Sequence, residues 1–396
     1  MNRIERMAQE PSVRAALASF RERLDEAVQL AITIQQIPAP TFAEQARAAF
    51  VCARFQELGL ADVEQDEMGN VYGRYPGLHS EQYGRASTPQ VIVSAHLDTV
   101  FPAGTDLTLQ SPTPDPQPHM ISGPGIADNA TGVAGLLLLA ETLRRFDLRP
   151  AADLWFVANV GEEGLGDLYG MRAVVQRFGR ADAYIVVEGG LFGQLFHQAI
   201  SVSRYRIEVN TPGGHSWSSF GNPSAIHYLA RLITAIDSLV VPGEPKTTYN
   251  VGVIEGGTSI NTIAASAALQ LDLRSEDPAA LAHLVAEVER IVHDAPRPAN
   301  VQVTMTRIGH RPGGRIPARA NLVLWAETAL RQVGCHTVQF ATGSTDANVP
   351  LSLGYPAVCI GLATSGNAHR LDEYLDTTHL AAGLGQLLLL SLAAAA

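Results

Sequence analysis

One change of pattern constrains this chain more than any other feature: alternating strands and helices break off after Phe192, a differently ordered set follows, and the first pattern then resumes. Before the break, strand-like stretches at Gly69–Tyr75, Gln90–Ala95, Ala152–Val160 and Ala183–Val187 are interleaved with helical spacing at Phe42–Leu58, Asn129–Phe146 and Leu168–Phe178. A helical pattern over residues 12–36 precedes them and stops before Ile37-Pro38-Ala39-Pro40. Such alternation predicts an α/β fold with a mixed, largely parallel sheet flanked by helices. After the break, Ala199–Asn210, Thr248–Ile254, Ala264–Arg274 and Val301–Ile308 read as strands, with helices at Ser224–Val240 and Pro278–Asp294. The order β-α-β-β-α-β is that of a ferredoxin-like α+β module. Its ends are marked by Gly193 and the turn-rich Gly309–Pro317, and helices Ala318–Gln332 and Thr377–Ala393 with strands His336–Phe340 and Ala357–Ile360 restore the first pattern. The expected organisation is a domain in two parts, residues 1–195 and 311–396, with residues 196–310 inserted between them. Glu81–Pro89 reads as a loop and Gly104–Pro124, rich in Pro, Thr, Ser and Asp, as an irregular surface excursion.

Bulk properties agree. A chain of 396 residues exceeds what one hydrophobic core usually organises, and 46% hydrophobic with 17% charged residues excludes a disordered chain. The formal charge of −11 argues against a nucleic-acid partner, because no excess of Lys and Arg is available for phosphates. Cys52, Cys335 and Cys359 form no CxxC pair, which points to free thiols in a reducing compartment. The N-terminus lacks the apolar run of a signal peptide, and the apolar tail Leu387–Ala396 is too short to cross a bilayer. The expectation is a cytoplasmic protein with no membrane partner.

Five residues of metal-ligand type fall at strand ends or on the loops that follow. His96 ends an apolar strand in Ser94-Ala95-His96-Leu97-Asp98-Thr99, and Asp98, two residues on, is placed to fix its tautomer. Asp128 opens a helix in Gly125-Ile126-Ala127-Asp128-Asn129, where an N-cap is the plain alternative to a bridging carboxylate. Gly161-Glu162-Glu163-Gly164 follows a buried strand; adjacent carboxylates there repel and call for a cation, and one can ligate while the other acts as general base. Glu188 ends a third strand and His369 follows a fourth. Taken singly each has a bland explanation. As a set, two histidines and three carboxylates give each of two divalent ions one imidazole, one terminal carboxylate and a share of a bridge. Zinc accepts that mixture, and cobalt or manganese can replace it.

On these residues the chain resembles the di-zinc metallopeptidases and deacylases of clan MH, which include peptidase T, carboxypeptidase G, acetylornithine deacetylase, succinyl-diaminopimelate desuccinylase and aminoacylase. The matching residues are Ala95-His96-Leu97-Asp98-Thr99, Ala127-Asp128-Asn129, Gly161-Glu162-Glu163-Gly164, Val187-Glu188 and His369, together with the inserted module. The resemblance implies that Asp128 bridges two Zn2+, with His96 and Glu188 completing one site and Glu163 and His369 the other. It implies Glu162 as general base and Asp98 as the residue that orients His96. It further implies that the insertion is a lid and homodimerisation domain. His215, in Gly213-Gly214-His215-Ser216, would stabilise the oxyanion in the partner subunit's site. Asn261 resembles a second polar contact, and Arg274, in Leu271-Asp272-Leu273-Arg274-Ser275, the arginine that grips a substrate carboxylate. Ser344 and Thr345, in Gly343-Ser344-Thr345-Asp346-Ala347-Asn348, resemble a loop lining the substrate cleft, although an Asx-type turn explains that composition too. The expected substrate is a di- or tripeptide, because Gly161–Gly170 and Gly343–Asn348 look most like peptidase T. An N-acyl amino acid is the alternative, and a non-catalytic metal-binding homologue the reading from another class.

Overall fold

The computed structural model describes residues 3–83, 88–109, 119–296 and 298–396. The chain divides into two compact units, Met1–Gln198 with Arg315–Ala396, and Ala199–Gly314.

In the first unit the strand Gln90–His96 lies in mid-sheet, parallel to Asp153–Asn159 on one side and to Ala183–Glu188 on the other. Ala357–Gly361 pairs in parallel with Ala183–Glu188, so its chain direction matches theirs. Antiparallel strands Val71–Tyr75 and Ala61–Gln65 extend one side, and Gln194–Ala199 adds to Ala357–Gly361 on the other. The central strands are apolar on both faces (Val91, Ile92 and Val93; Leu154 to Val157; Ile185 to Val187) and all are buried, as parallel strands covered by helices require. Two of the covering helices, Gly132–Arg145 and Leu380–Ala394, are buried nearly all round. Each lies in a helical stretch long and apolar enough to cross a membrane, yet both stretches are mostly buried within the protein, as core helices are. The mixed α/β layer expected from the sequence is present.

Local departures have identifiable causes. The helical pattern over residues 12–36 is two helices, Pro11–Glu22 and Leu24–Gln35, broken where Arg23 leaves helical geometry and pairs with Glu26 and Glu141. The helix expected from Asn129 begins at Gly132, because Asp128 and Asn129 are non-helical. The Asn129 side chain donates to the Val187 carbonyl and accepts from the Gly189 N–H, which draws that residue to a strand end instead. Within the expected loop at Glu81–Pro89, the helix Leu78–Tyr83 intrudes and residues 84–87 lie outside the described residues. Of the excursion Gly104–Pro124, residues 110–118 also lie outside them, and Met120–Ser122 forms a strand against Tyr374–Asp376.

The second unit is a four-stranded antiparallel sheet in the order Thr247–Gly256, Ser266–Ser275, Ser201–Asn210, Gln302–Arg311. The first and last strands in sequence sit beside each other, the arrangement of a ferredoxin-like module. Helices Ala225–Asp237 and Pro278–Asp294 bury Leu229, Leu232, Leu284 and Val288 against Ile207, Val209, Leu269 and Leu271. Alternation along Ser201–Asn210 and Ser266–Ser275 gives the sheet one apolar and one polar face.

Candidate metal centre

The five proposed ligands come from the carboxyl ends of parallel strands and the connections beyond them, where sheets of this kind present their sites. His96 and Glu188 are the last residues of their strands, and Glu162 and Glu163 follow the strand Asp153–Asn159. Gly161 turns the chain between them with φ +66°, and a Cβ at that position would strike the Tyr169 ring, so the turn needs glycine. Asp128 is not an N-cap: the α-helix that follows starts at Gly132, with Thr131 in the cap position, which leaves the Asp128 carboxylate for other partners.

That carboxylate faces two histidines at once. His96 Nε2 is 3.1 Å from Asp128 Oδ1 and 3.5 Å from Glu188 Oε2. His369 Nε2 is 3.2 Å from Asp128 Oδ2 and 3.3 Å from Glu163 Oε1. The structure thus brings together two donor sets, His96–Asp128–Glu188 and Asp128–Glu163–His369, each with its ligand atoms within 4.8 Å of one another. Burial opposes the charge on His96, but hydrogen bonds to Asp128, Asp98 and Glu188 outweigh it and raise its pKa well above the usual imidazole value. Hydrogen bonds to Asp128 and Glu163 push His369 up to about 10. Burial raises Glu163 and Glu188, whereas Asp128, despite burial, is held low by the two histidines. Protons on both imidazoles are thus the cations that these carboxylates recruit. A divalent ion in each set satisfies the same carboxylates with more charge, and the N/O donor chemistry fits.

Asp98 has contacts beyond the one expected with His96. The Nδ1 atom of His96 is 3.1 Å from the Asp98 main-chain oxygen and 3.5 Å from its Oδ1. The Asp98 carboxylate also accepts from the N–H groups of Glu162 at 3.0 Å and Glu163 at 2.8 Å, and from Thr41 Oγ1 at 3.0 Å. It therefore fixes both glutamates through their main chain. Glu44 accepts from the Gly161 N–H, and buried Arg47 donates to the carbonyls of Ile37 and Leu97. The motif reading missed Thr41, Glu44 and Arg47, which lie in helical or turn sequence with no local mark of chemistry.

Comparison with known proteins decides the family. Residues 92–391 match the model of peptidase family M20/M25/M40. The chain belongs to this family. It is therefore a hydrolase of the M20 type. Among sequences, it is similar to a protein named probable carboxypeptidase from Aspergillus flavus, at 27% identity over 48% of this chain and 48% of that one. The chain thus spans about half the length of that relative. It is also similar to succinyl-diaminopimelate desuccinylase from Sphingopyxis alaskensis, at 25% identity over 71% of this chain and 75% of that one. Among solved structures, a tripeptidase from Staphylococcus aureus shares the fold with a TM-score of 0.74 at 20% identity, covering 93% of this chain and 98% of the other.

The remaining candidates of this M20 chain divide between its units. His215 lies on a short ladder opposite Thr262, which sets it close to Asn261; the Ser216 N–H donates to the Asn261 carbonyl. The Nδ1 atom of His215 accepts from the Trp217 N–H at 3.2 Å, so the ring presents Nε2–H as a donor. Arg274 lies on the polar face of its sheet, with Nε 2.6 Å from Asp272 Oδ2, and Arg204 shares that aspartate from the other side. Thr345 and Asn348 close a turn on each other: the Thr345 N–H donates to Asn348 Oδ1, and the Ala347 N–H donates to Thr345 Oγ1. Ser344 is half-buried beside them. The same loop buries Asp346, which was passed over in the sequence; it accepts from Asn159 Nδ2 at 2.7 Å and is pushed up to about 7 by burial.

Proposed function

We propose that this chain is a two-zinc hydrolase that cleaves an amide bond in a small peptide. The observation that carries the reading is the pair of donor sets that share Asp128, with the buried Glu162 preceding Glu163 in the chain. His96, Asp128 and Glu188 would hold one ion, and Asp128, Glu163 and His369 the other. Two ions bound there supply Lewis-acid charge to the scissile carbonyl and lower the pKa of water. Glu162 takes a proton from the attacking water and returns it to the departing nitrogen. Asp98 supports that step by holding the main chain of both glutamates.

The inserted unit would supply the rest. His215 donates Nε2–H to the developing oxyanion of the partner subunit's site, Asn261 adds a polar contact, and Arg274 pairs with a substrate carboxylate. Ser344 and Thr345 would line the cleft. A homodimer through this unit is supported by apolar groups left open to solvent: Val253 and Ile254 on the edge strand, and Trp217, Phe220 and Ile260 flanking the His215–Thr262 pairing.

A zinc-supplemented screen of di- and tripeptides beside N-acetyl and N-succinyl amino acids tests the proposal, with Glu162→Gln as control. Peptide cleavage that falls by roughly 10³-fold in the variant, with zinc content unchanged, is the expected result. Substantial activity in Glu162→Gln would remove the assigned base. A deacylase is the second reading, favoured by the similarity to a desuccinylase. Cleavage of acyl amino acids alone would select it.

A further inference from the structure

The turn beyond His369 carries an acidic side chain that the proposed reaction leaves unused. Glu373 is fully buried. Its Oε1 accepts from the N–H groups of Ala127 at 2.8 Å and Asp128 at 2.9 Å, and its Oε2 accepts from the Gly125 N–H at 3.1 Å. Its main-chain oxygen accepts from the Gly123 N–H and from Ser122 Oγ, each at 2.9 Å. Through its carboxylate, one residue therefore grips the chain from 125 to 128, on which the shared carboxylate is mounted, from within the segment that also carries His369.

Three main-chain donors gathered on one buried side chain fix both the path and the orientation of the segment that carries Asp128. A ligand supported in this way presents its oxygens ready for a metal, and loss of such outer contacts weakens metal binding.

We infer that Glu373 is a positioning residue for the metal pair, holding the main chain of residues 125–128 so that the two oxygens of Asp128 address His96 and His369 together. The inference rests on the two-metal reading above. It assigns Glu373 no contact with substrate.

The test is calorimetric titration of the metal-free protein with Zn2+ and Co2+, with the visible spectrum of the Co2+ form as a second readout. Wild type should bind two equivalents. Glu373→Gln, which keeps the shape but sets an NH2 against one of the three N–H donors, should fold, bind at least one equivalent roughly tenfold more weakly or worse, and shift the Co2+ band. Ser122→Ala, which removes a bond to the same residue's main-chain oxygen, should leave affinity and spectrum unchanged. Wild-type affinity and spectrum in Glu373→Gln would overturn the inference, as would an equal loss in Ser122→Ala. Should Glu373→Gln not fold, Glu373→Asp takes its place: its charge remains while its reach shortens, and the same weakened binding and shifted band are expected, with wild-type behaviour overturning the inference. A wild-type protein that binds neither metal sinks the two-metal reading itself, a result distinct from two equivalents in both proteins.

Discussion

The two units present most of their candidate residues in opposite ways. In the first, His96, Glu162, Glu163 and Glu188 are buried at strand ends, Asp128 is half-buried and His369 alone of the five candidate ligands is exposed, and hydrogen bonds to Asp98 and Glu373 fix the main chain around the buried set. In the second, His215 and Asn261 are exposed on a two-residue ladder, and Arg274 stands on an open sheet face. Donor atoms that must converge within a few ångströms need a rigid, desolvated frame. Groups that meet a substrate need access. The contrast therefore predicts which substitutions touch metal binding and which touch turnover alone.

The sharpest way to break the contrast is His215→Ala. Loss of one oxyanion donor costs on the order of 10²–10³ in kcat, and zinc stoichiometry should stay at the wild-type value. Steady-state kinetics beside metal analysis checks this. Unchanged kcat would remove His215 from the reaction.

How much of this was legible in the sequence follows the same division. Four of the candidate ligands could be read because His96, Glu163, Glu188 and His369 end or follow apolar strands, where a His or Glu is conspicuous, whereas Asp128, at an expected helix start, stood out only as part of the set. The break in element order announced the insertion for the same reason. Apart from Asp98, the residues that hold the ligands were not legible. Thr41 and Glu44 reach Asp98 and Gly161 across long chain separations, and Glu373 reaches Gly125 from near the other end of the chain. Nothing local marks such contacts. The start of the helix at Gly132 was misread because the bonds from Asn129 to Val187 and Gly189 override its helical spacing.

The second prediction concerns protons. In the metal-free protein hydrogen bonds to carboxylates raise both His96 and His369, the latter to about 10, so both carry protons at neutral pH. A metal takes the neutral imidazole, and binding must therefore expel those protons. Affinity should rise with pH by about tenfold per unit for each protonated histidine, and the His369 share of this dependence should fade as pH approaches 10. Titrations in buffers of different ionisation enthalpy count the protons directly. Zinc binding at pH 7 without proton release would contradict the assignment of these two side chains as ligands.

A smaller effect is expected at Arg274. Arg274 holds Asp272 together with Arg204, so that aspartate is not the exclusive partner of Arg274. Arg274→Ala should raise KM roughly tenfold for substrates with a free carboxylate and leave kcat nearly unchanged, the size of one charge-assisted hydrogen bond. An unchanged KM would mean that Arg274 serves only to hold Asp272, and the carboxylate would have to be gripped elsewhere.

The smallest effect bears on whether the two units are also separate in stability. Asp277 caps the helix Pro278–Asp294 by accepting from the N–H groups of Ala279 and Ala280. Asp277→Ala should cost about 1 kcal/mol, a shift of a few degrees in melting for a domain of this size. Zinc, whose proposed ligands all lie in the first unit, stabilises by mass action whatever unfolds with those ligands. Calorimetry of both proteins with and without zinc therefore separates two cases. If zinc and Asp277→Ala move different transitions, the inserted unit melts on its own, and its candidate residues can change without disturbing the metal frame. If both move one transition, the units unfold together, and the contrast between them belongs to access and geometry but not to stability.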